Sequence, residues 1–214
     1  MTGVSMLVVA KAPEPGRVKT RLGRDIGMDA AAEVAAASLL DTLETCAATG
    51  ADCHLSLAGD LDGAVRDGEL GAALAGWTVH PQEGATFGAR LADAHSRVPG
   101  PVVQVGMDTP HLTTALLWHV ATELATNDAV LGPAVDGGWW VLALRSPTSA
   151  RSLHDVPMST PTTYDDTRRA LVGDGLDVAL AATLRDIDTV ADADAVAAQI
   201  GDGEFARAWL GLTA

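Results

Sequence analysis

Short apolar runs alternate with helical segments through the first 130 residues, and this alternation constrains the fold more than any other feature. Strands are predicted at residues 4–10, 52–59, 76–82 and 100–106, where β-branched residues cluster between glycine and proline. Helices are predicted between them at 28–48, 86–98 and from Thr113 or Thr114 to about Ala125. Strand–helix alternation is typical of a parallel sheet with helices on both faces.

The second part of the chain adds a different pattern. Residues 128–145 predict two strands around a turn at Asp136-Gly137-Gly138, so at least one antiparallel strand should join the sheet. Residues 162–175 predict a helix, 177–188 a strand and 191–210 mostly helix. Because no internal repeat, linker or change of composition marks a boundary, residues 1–214 are expected to form a single domain.

Charge and hydropathy narrow the classes of function. The net charge is −14, whereas proteins that bind nucleic acids need a broad basic surface, so no nucleic-acid partner is expected. No apolar run approaches the roughly 18 residues of a membrane span, and no secretory signal is recognisable. A cytoplasmic location is expected, and a homodimer is compatible with the sequence.

A basic loop, defined here as residues 10–25, departs from this acidic composition. It holds five of the fourteen basic residues, and they include both lysines of the chain: Lys11, Arg17, Lys19, Arg21 and Arg24. The loop follows the first predicted strand, where parallel sheets bind ligands, and its glycine permits close approach to backbone N–H groups. It matches neither the Walker A nor the G-x-G-x-x-G pattern. Phosphate binding is favoured over a merely solvated loop.

Acidic residues follow two later strands. Asp108, in GMDTP, can hold a hard cation such as Mg²⁺, or can simply start the turn. Asp186 and Asp188 are expected to point to opposite faces, so that one of them faces the site. Helix capping is the alternative for this segment, and it accounts better for Thr189 and Asp192 than for the two aspartates.

Two further segments are weaker signals when each is taken singly. Asp136-Gly137-Gly138 is ordinary turn chemistry, and the adjoining Trp139-Trp140 pair should place one indole in the core and leave the other to wall a pocket. Gln82 can read a base or ribose edge, and Gly84 permits close approach. The histidines show no metal-ligand spacing.

In this order, the segments resemble a known family. KAPEPGRVKTRL, QEGATFGARL, GMDTPHL, GPAVDGGW and DIDTVAD are similar to the motifs of the DUF2064 proteins, also described as selenodomain-associated transferases. The resemblance spans nearly the whole chain and implies an α/β fold: a Rossmann-like GT-A three-layer sandwich with a mostly parallel sheet and an added antiparallel strand. Trp139 stands where the family usually has tyrosine, so a hydroxyl contact is lost.

The resemblance also implies roles for particular residues. Nucleotide phosphates would contact the basic loop, chiefly Lys11, Gly16, Arg17, Lys19 and Arg21, with Gln82 and Gly84 completing the nucleotide site. Asp108 and Asp188 would share Mg²⁺ or Mn²⁺, and Lys19, Arg17 and Asp108 would be the catalytic groups. The acceptor would meet Asp136, Gly137, Gly138 and Trp139.

Two reactions fit these roles. In nucleotidyl transfer, a small phosphorylated acceptor attacks the α-phosphorus of an NTP and pyrophosphate leaves; in glycosyl transfer, the donor is an NDP-sugar. Four basic residues suit a triphosphate, and GMDTP offers a single aspartate where many GT-A glycosyltransferases have D-x-D, so nucleotidyl transfer is favoured. A non-catalytic nucleotide-binding protein is the third hypothesis. The base and the acceptor are not specified by the sequence.

Overall fold

The computed structural model describes residues 3–213 and is built around one seven-stranded sheet. The strands in chain order are β1 Ser5–Lys11, β2 Asp52–Ala58, β3 Thr78–Pro81, β4 Val102–Val105, β5 Ala129–Pro133, β6 Trp139–Leu144 and β7 Val178–Leu180. Their order across the sheet is β3-β2-β1-β4-β6-β5-β7. The predicted α/β class with a mostly parallel sheet is confirmed.

The helices cover both faces of this sheet. They are α1 Thr20–Ile26, α2 Met28–Ala47, α3 Asp67–Ala73, α4 Phe87–Ser96, α5 Thr114–Glu123, α6 Thr163–Gly173, α7 Val190–Ala197 and α8 Glu204–Thr213, with a 3-10 helix at Pro147–Leu153. One apolar core lies between the sheet and helices α2 and α5, and a second lies on the opposite face beneath α4, the 3-10 helix and α6. Within residues 3–213, no helix is long and apolar enough to cross a membrane.

Strand β6 runs antiparallel to its neighbours inside the sheet and places the later loops beside the earlier ones. It pairs antiparallel with both β4 and β5, so β5 runs in the same direction as β1 and β4. The turn from β5 to β6 therefore lies at the edge where β1 and β4 end. This edge is where open α/β sheets bind their ligands.

The two tryptophans that begin β6 point to opposite faces. Trp140 is 2% exposed, and its indole N–H donates to the carbonyl oxygen of Ala182 at 2.8 Å. Trp139 is half-buried and donates to Thr167 Oγ1 at 3.1 Å. One indole thus belongs to the core, as predicted.

Some predicted elements differ from the structure. The strand predicted at 177–188 is regular over only three residues, and beyond them Leu184 makes an isolated bridge to Ala134. The helix predicted at 191–210 is broken at residues 198–203, a segment with two glycines, and Gly203, at φ 155°, immediately precedes α8. Two seven-residue helices, α1 and α3, were not predicted because glycines interrupt their short apolar patterns.

The stability of this fold depends on pH through the buried side chain of His95. Its ring Nε2 lies 2.8 Å from Gln104 Oε1, and burial lowers the pKa of His95 to about 4 despite that hydrogen bond. The unfolded chain takes up this proton near pH 6.5, whereas the folded chain does so only near pH 4, so the neutral ring's contribution to stability is lost as the pH falls.

We expect the free energy of unfolding to fall by about 2 kcal/mol between pH 7 and pH 5 on account of His95 alone. Urea unfolding at both pH values measures this change. His95→Gln should remove most of the difference, whereas His119→Gln, at an exposed histidine, should leave it in place. An unchanged pH dependence in His95→Gln would contradict the assignment.

Candidate active site

Lys19 lies at the centre of the site, between two carboxylates that are far apart in the sequence. Its Nζ is 2.8 Å from Asp108 Oδ1 and 3.2 Å from Asp188 Oδ1, and its side chain is only 6% exposed. The residue precedes α1 in the left-handed conformation, at φ 44°. A non-glycine residue in this region carries local strain of about 1 kcal/mol or more, which the surrounding contacts must offset. The backbone conformation turns the side chain away from solvent, unlike the other basic side chains of the loop.

Two opposing effects act on the Lys19 ammonium. Burial disfavours the charged form, but the carboxylates of Asp108 and Asp188 outweigh it, and the pKa of Lys19 is raised. The side chain is therefore a fixed positive charge at neutral pH. Arg21 adds a second, more exposed cation, with its guanidinium 3.0 Å from Asp188 Oδ2.

The segment that carries Asp186 and Asp188 runs beside the end of β4. The Ile187 N–H donates to the carbonyl oxygen of Asp108 at 3.0 Å, and the Ile187 side chain is fully buried. Both aspartates consequently face the site, so the expectation that they point to opposite faces is wrong. Alternate residues of an extended chain share one face, and the residue between them points inward.

Asp186 also belongs to the site, although the sequence assigned it no role there. Its Oδ1 accepts a hydrogen bond from Thr109 Oγ1 at 3.0 Å. Burial, followed by the like charge of Asp108 and of Asp136, raises the pKa of Asp186 to about 7 despite that hydrogen bond and nearby Lys19. The spacing D-x-D was the available signal, because it places both carboxylates on one face.

Two neighbouring cavities meet at these residues. The first, called here the acceptor cavity, has a volume of about 460 Å³ and is lined by the β4 end, the β5–β6 turn, the segment 158–163 and Asp186. The second, called here the basic cavity, has a volume of about 300 Å³ and is lined largely by the basic loop, including Lys11, Arg17 and Lys19. Their common lining consists of Arg21, Met107, Asp108 and Asp188.

The β5–β6 turn forms a braced wall of the acceptor cavity. Asp136 Oδ1 accepts a hydrogen bond from the Gly138 N–H at 2.8 Å, and the Tyr164 N–H donates to the Gly137 carbonyl oxygen at 2.9 Å. Gly137 has φ 91°, and a Cβ there would collide with the Pro161 carbonyl oxygen. Asp136, Gly138 and Trp139 line the cavity, while Gly137 holds the turn against the segment 158–163.

The remaining predicted residues differ in position. Lys11 and Arg17 are exposed, and Arg17 is 3.1 Å from Glu14, while Gly16 turns the loop at φ 74°. Gln82 donates both side-chain hydrogen bonds to backbone carbonyls of β1 and β2, at 3.0 and 3.1 Å. Gly84 packs closely against the start of α4. Gln82 and Gly84 line neither cavity among the described residues, so their roles toward a base stay predictions.

The carboxylates of Asp108 and Asp188 fit a divalent cation. Their Oδ1 atoms already converge on one positive charge, the Lys19 ammonium, so a cation position exists between them. Mg²⁺ and Mn²⁺ prefer such oxygen donors, and Mg²⁺ is usually bound by one or two carboxylates plus substrate phosphates. Within residues 3–213, no group of three or more His, Cys, Asp or Glu side chains is placed to hold a metal alone. Phosphate oxygens would have to complete the coordination.

Several solved structures share this fold. A candidate nucleotide-diphospho-sugar transferase from Desulfovibrio desulfuricans G20 is 27% identical, with a TM-score of 0.84 over 98% of this chain and 94% of that one. The manganese complex of Rv0371c from Mycobacterium tuberculosis H37Rv is 20% identical, with a TM-score of 0.57 over 93% of this chain and 100% of that one. A 4-diphosphocytidyl-2C-methyl-D-erythritol synthase from Anaerococcus prevotii DSM 20548 is 12% identical, with a TM-score of 0.59 over 99% and 100%.

Comparison at the level of sequence gives a family. No curated protein matches the chain. The model of a family described as "Uncharacterized protein conserved in bacteria (DUF2064)" matches residues 41–160. The match covers β4, the Asp108 that follows it and the Asp136-Gly137-Gly138 turn. The chain belongs to the DUF2064 family and has the fold of the nucleotidyltransferases and sugar-nucleotide transferases.

Proposed function

We propose that this protein is a divalent-metal-dependent transferase with a nucleotide donor, and that it transfers a nucleotidyl group from an NTP with release of pyrophosphate. The observation that carries the proposal is the position of Lys19, Asp108 and Asp188 at the boundary between the basic cavity and the acceptor cavity. A donor phosphate chain held by the basic loop would end where an acceptor held by the β5–β6 turn begins.

The residues present would act mainly by positioning and by charge. Lys11 and Arg17 would hold the phosphates that leave, and Lys19 would turn from the carboxylates to the α-phosphate as charge develops there. An acceptor oxygen would then form a bond to the α-phosphorus, the bond from that phosphorus to the bridging oxygen would break, and pyrophosphate would depart; the proton of a hydroxyl acceptor would pass to solvent or to a carboxylate of the site. A divalent cation on Asp108 and Asp188 would supply further charge neutralisation. Cations held against the phosphates in this way lower the barrier without a covalent intermediate.

Glycosyl transfer from an NDP-sugar is the second candidate, and one observation favours it. The Desulfovibrio relative that superposes over nearly the whole chain is described as a candidate nucleotide-diphospho-sugar transferase. The several cations of the basic loop argue against glycosyl transfer, because they suit a triphosphate better than a metal-bound diphosphate. Manganese in Rv0371c and the diphosphocytidyl product in the name of the Anaerococcus enzyme belong to those proteins; the product agrees with nucleotidyl transfer, whereas manganese agrees with both candidates.

Thermal unfolding against a panel of NTPs, NDPs and NDP-sugars, with and without Mg²⁺ or Mn²⁺, tests the proposal. A ligand at 100 times its dissociation constant should add about 2.7 kcal/mol to the free energy of unfolding. We expect one NTP to stabilise the protein in a metal-dependent manner and pyrophosphate to appear on turnover. Stabilisation by NDP and NDP-sugars alone would select glycosyl transfer, and no response to any nucleotide would contradict both.

A further inference from the structure

The lining of the acceptor cavity is acidic, which bears on the class of acceptor. Its charged residues are four aspartates and one arginine: Asp108, Asp136, Asp186, Asp188 and Arg21. Among the residues that the structure describes, Arg21 is the only basic residue of this lining, and its guanidinium is already 3.0 Å from Asp188. A phosphate group on the acceptor would therefore have to compete with Asp188 for the one basic residue of this lining.

Metal binding does not reverse this balance on the acceptor side. Asp108 and Asp188 lie at the boundary with the basic cavity and hold Lys19, or a metal in its place. Asp136 and Asp186 lie on the acceptor side, and each makes one hydrogen bond to its own surroundings, from the Gly138 N–H and from Thr109 Oγ1. Their other oxygen atoms, which make no protein hydrogen bond in the described structure, are free to accept hydrogen bonds from a ligand.

The uncharged part of the lining points to a particular chemistry. Trp139 is half-buried and presents part of its indole to the cavity, together with the aromatic ring of Phe87. Hydroxyl groups follow along the segment 158–163, at Ser159, Thr160 and Thr163. Carboxylates accept hydrogen bonds from hydroxyl groups, and aromatic rings pack against apolar C–H surfaces. This combination suits a compound with many hydroxyl groups and no phosphate.

We propose that the acceptor cavity takes an uncharged polyhydroxylated compound, such as a sugar or polyol, and selects against its phosphorylated form. The inference rests on the proposed function, which identifies this cavity as the place where the acceptor binds. It replaces the phosphorylated acceptor that was expected from the sequence. Selection arises because a dianionic phosphate beside the Asp136 carboxylate is repelled, and like-charge contacts of this kind are strongly unfavourable. A hydroxyl group in the position of that phosphate would instead donate a hydrogen bond to an aspartate carboxylate, which favours the neutral compound.

Paired ligands test the selection. Calorimetry with the full chain, with Mg²⁺ and with or without the NTP found in the thermal panel, would compare neutral pentoses, hexoses, glycerol and inositol with their monophosphates. We expect at least one neutral compound to bind about tenfold or more tightly than its phosphate. Asp136→Asn should narrow this ratio several-fold because it removes one negative charge, whereas Asp62→Asn, at an exposed aspartate outside the cavity, should leave it unchanged.

A second measurement reads the charge of the cavity without any acceptor. Fluorescence quenching by caesium and by iodide, compared between the native chain and Trp139→Phe, isolates the contribution of Trp139. Each quenching constant is divided by that of the same ion with N-acetyltryptophanamide, and we expect this ratio for Trp139 to be larger for caesium than for iodide, with the difference reduced in Asp136→Asn. Equal normalised quenching by the two ions, a phosphate that binds more tightly than its neutral parent, or the absence of binding by every neutral compound would each overturn the proposal. Failure of all nucleotides in the thermal panel would instead count against the proposed function, because these two measurements do not require a nucleotide.

Discussion

Replacing Lys19 by methionine is expected to lower turnover by roughly 10²–10³-fold, the cost of removing one fixed charge-stabilising donor from an active site. The same change should strengthen the binding of Mn²⁺ alone by about tenfold, because the Lys19 ammonium no longer occupies the position between Asp108 and Asp188. These opposite effects have one cause. In the absence of nucleotide, Lys19 is the counter-ion of the two carboxylates, and a metal must compete with it.

The two readouts are a steady-state pyrophosphate assay and electron paramagnetic resonance of free Mn²⁺. Lys11→Met is the matched control, since it makes the same chemical change at an exposed lysine of the same loop. We expect that control to weaken nucleotide binding less than tenfold and to leave the binding of Mn²⁺ alone unchanged. If Lys19→Met keeps native turnover and native Mn²⁺ affinity, Lys19 is only a structural partner of the carboxylates.

The sequence predicted the sheet well because local patterns decide it. Helix α2 was predicted to within one residue, as its alanine-rich run ends at a glycine turn, and the Asp136-Gly137-Gly138 turn marked the β5–β6 pair. The position of β6 between β4 and β5 was not predictable, because strand order depends on pairings between residues distant in the chain. That order is what brings the β5–β6 turn to the edge where Asp108 lies.

In the candidate site, too, some features were predictable from the sequence and others depend on the fold. Charge and motif order singled out Lys19, Asp108 and Asp188, and the structure brings these three together. Burial of Lys19 was not visible in the sequence, since it depends on a left-handed backbone at a residue that would ordinarily avoid it. The acidity of the acceptor cavity was equally hidden, because Asp136 and Asp186 are 50 residues apart and meet only through the fold.

Replacing Asp108 by asparagine is expected to lower metal-dependent turnover by roughly 10²–10³-fold and to abolish measurable binding of Mn²⁺ alone. Asparagine keeps the shape of the side chain but leaves one carboxylate, Asp188, for the cation. Lys19 would then be paired with a single carboxylate within its buried position, so the melting temperature should fall slightly, with the fold retained. Asp62→Asn makes the same change at an exposed position outside both cavities and should alter neither activity nor Mn²⁺ binding.

The substitution Asp108→Asn has three informative outcomes, and each supports a different role for Asp108 and a different position of the metal. Loss of both turnover and Mn²⁺ binding supports the shared metal position between Asp108 and Asp188. Loss of turnover with native Mn²⁺ binding would mean that Asp108 serves to hold Lys19 and that the metal is bound elsewhere. Native turnover with native Mn²⁺ binding would contradict the metal assignment altogether, and the geometry then leaves Asp186 and Asp188 as the pair to replace next, since both face the same cavity from one short segment.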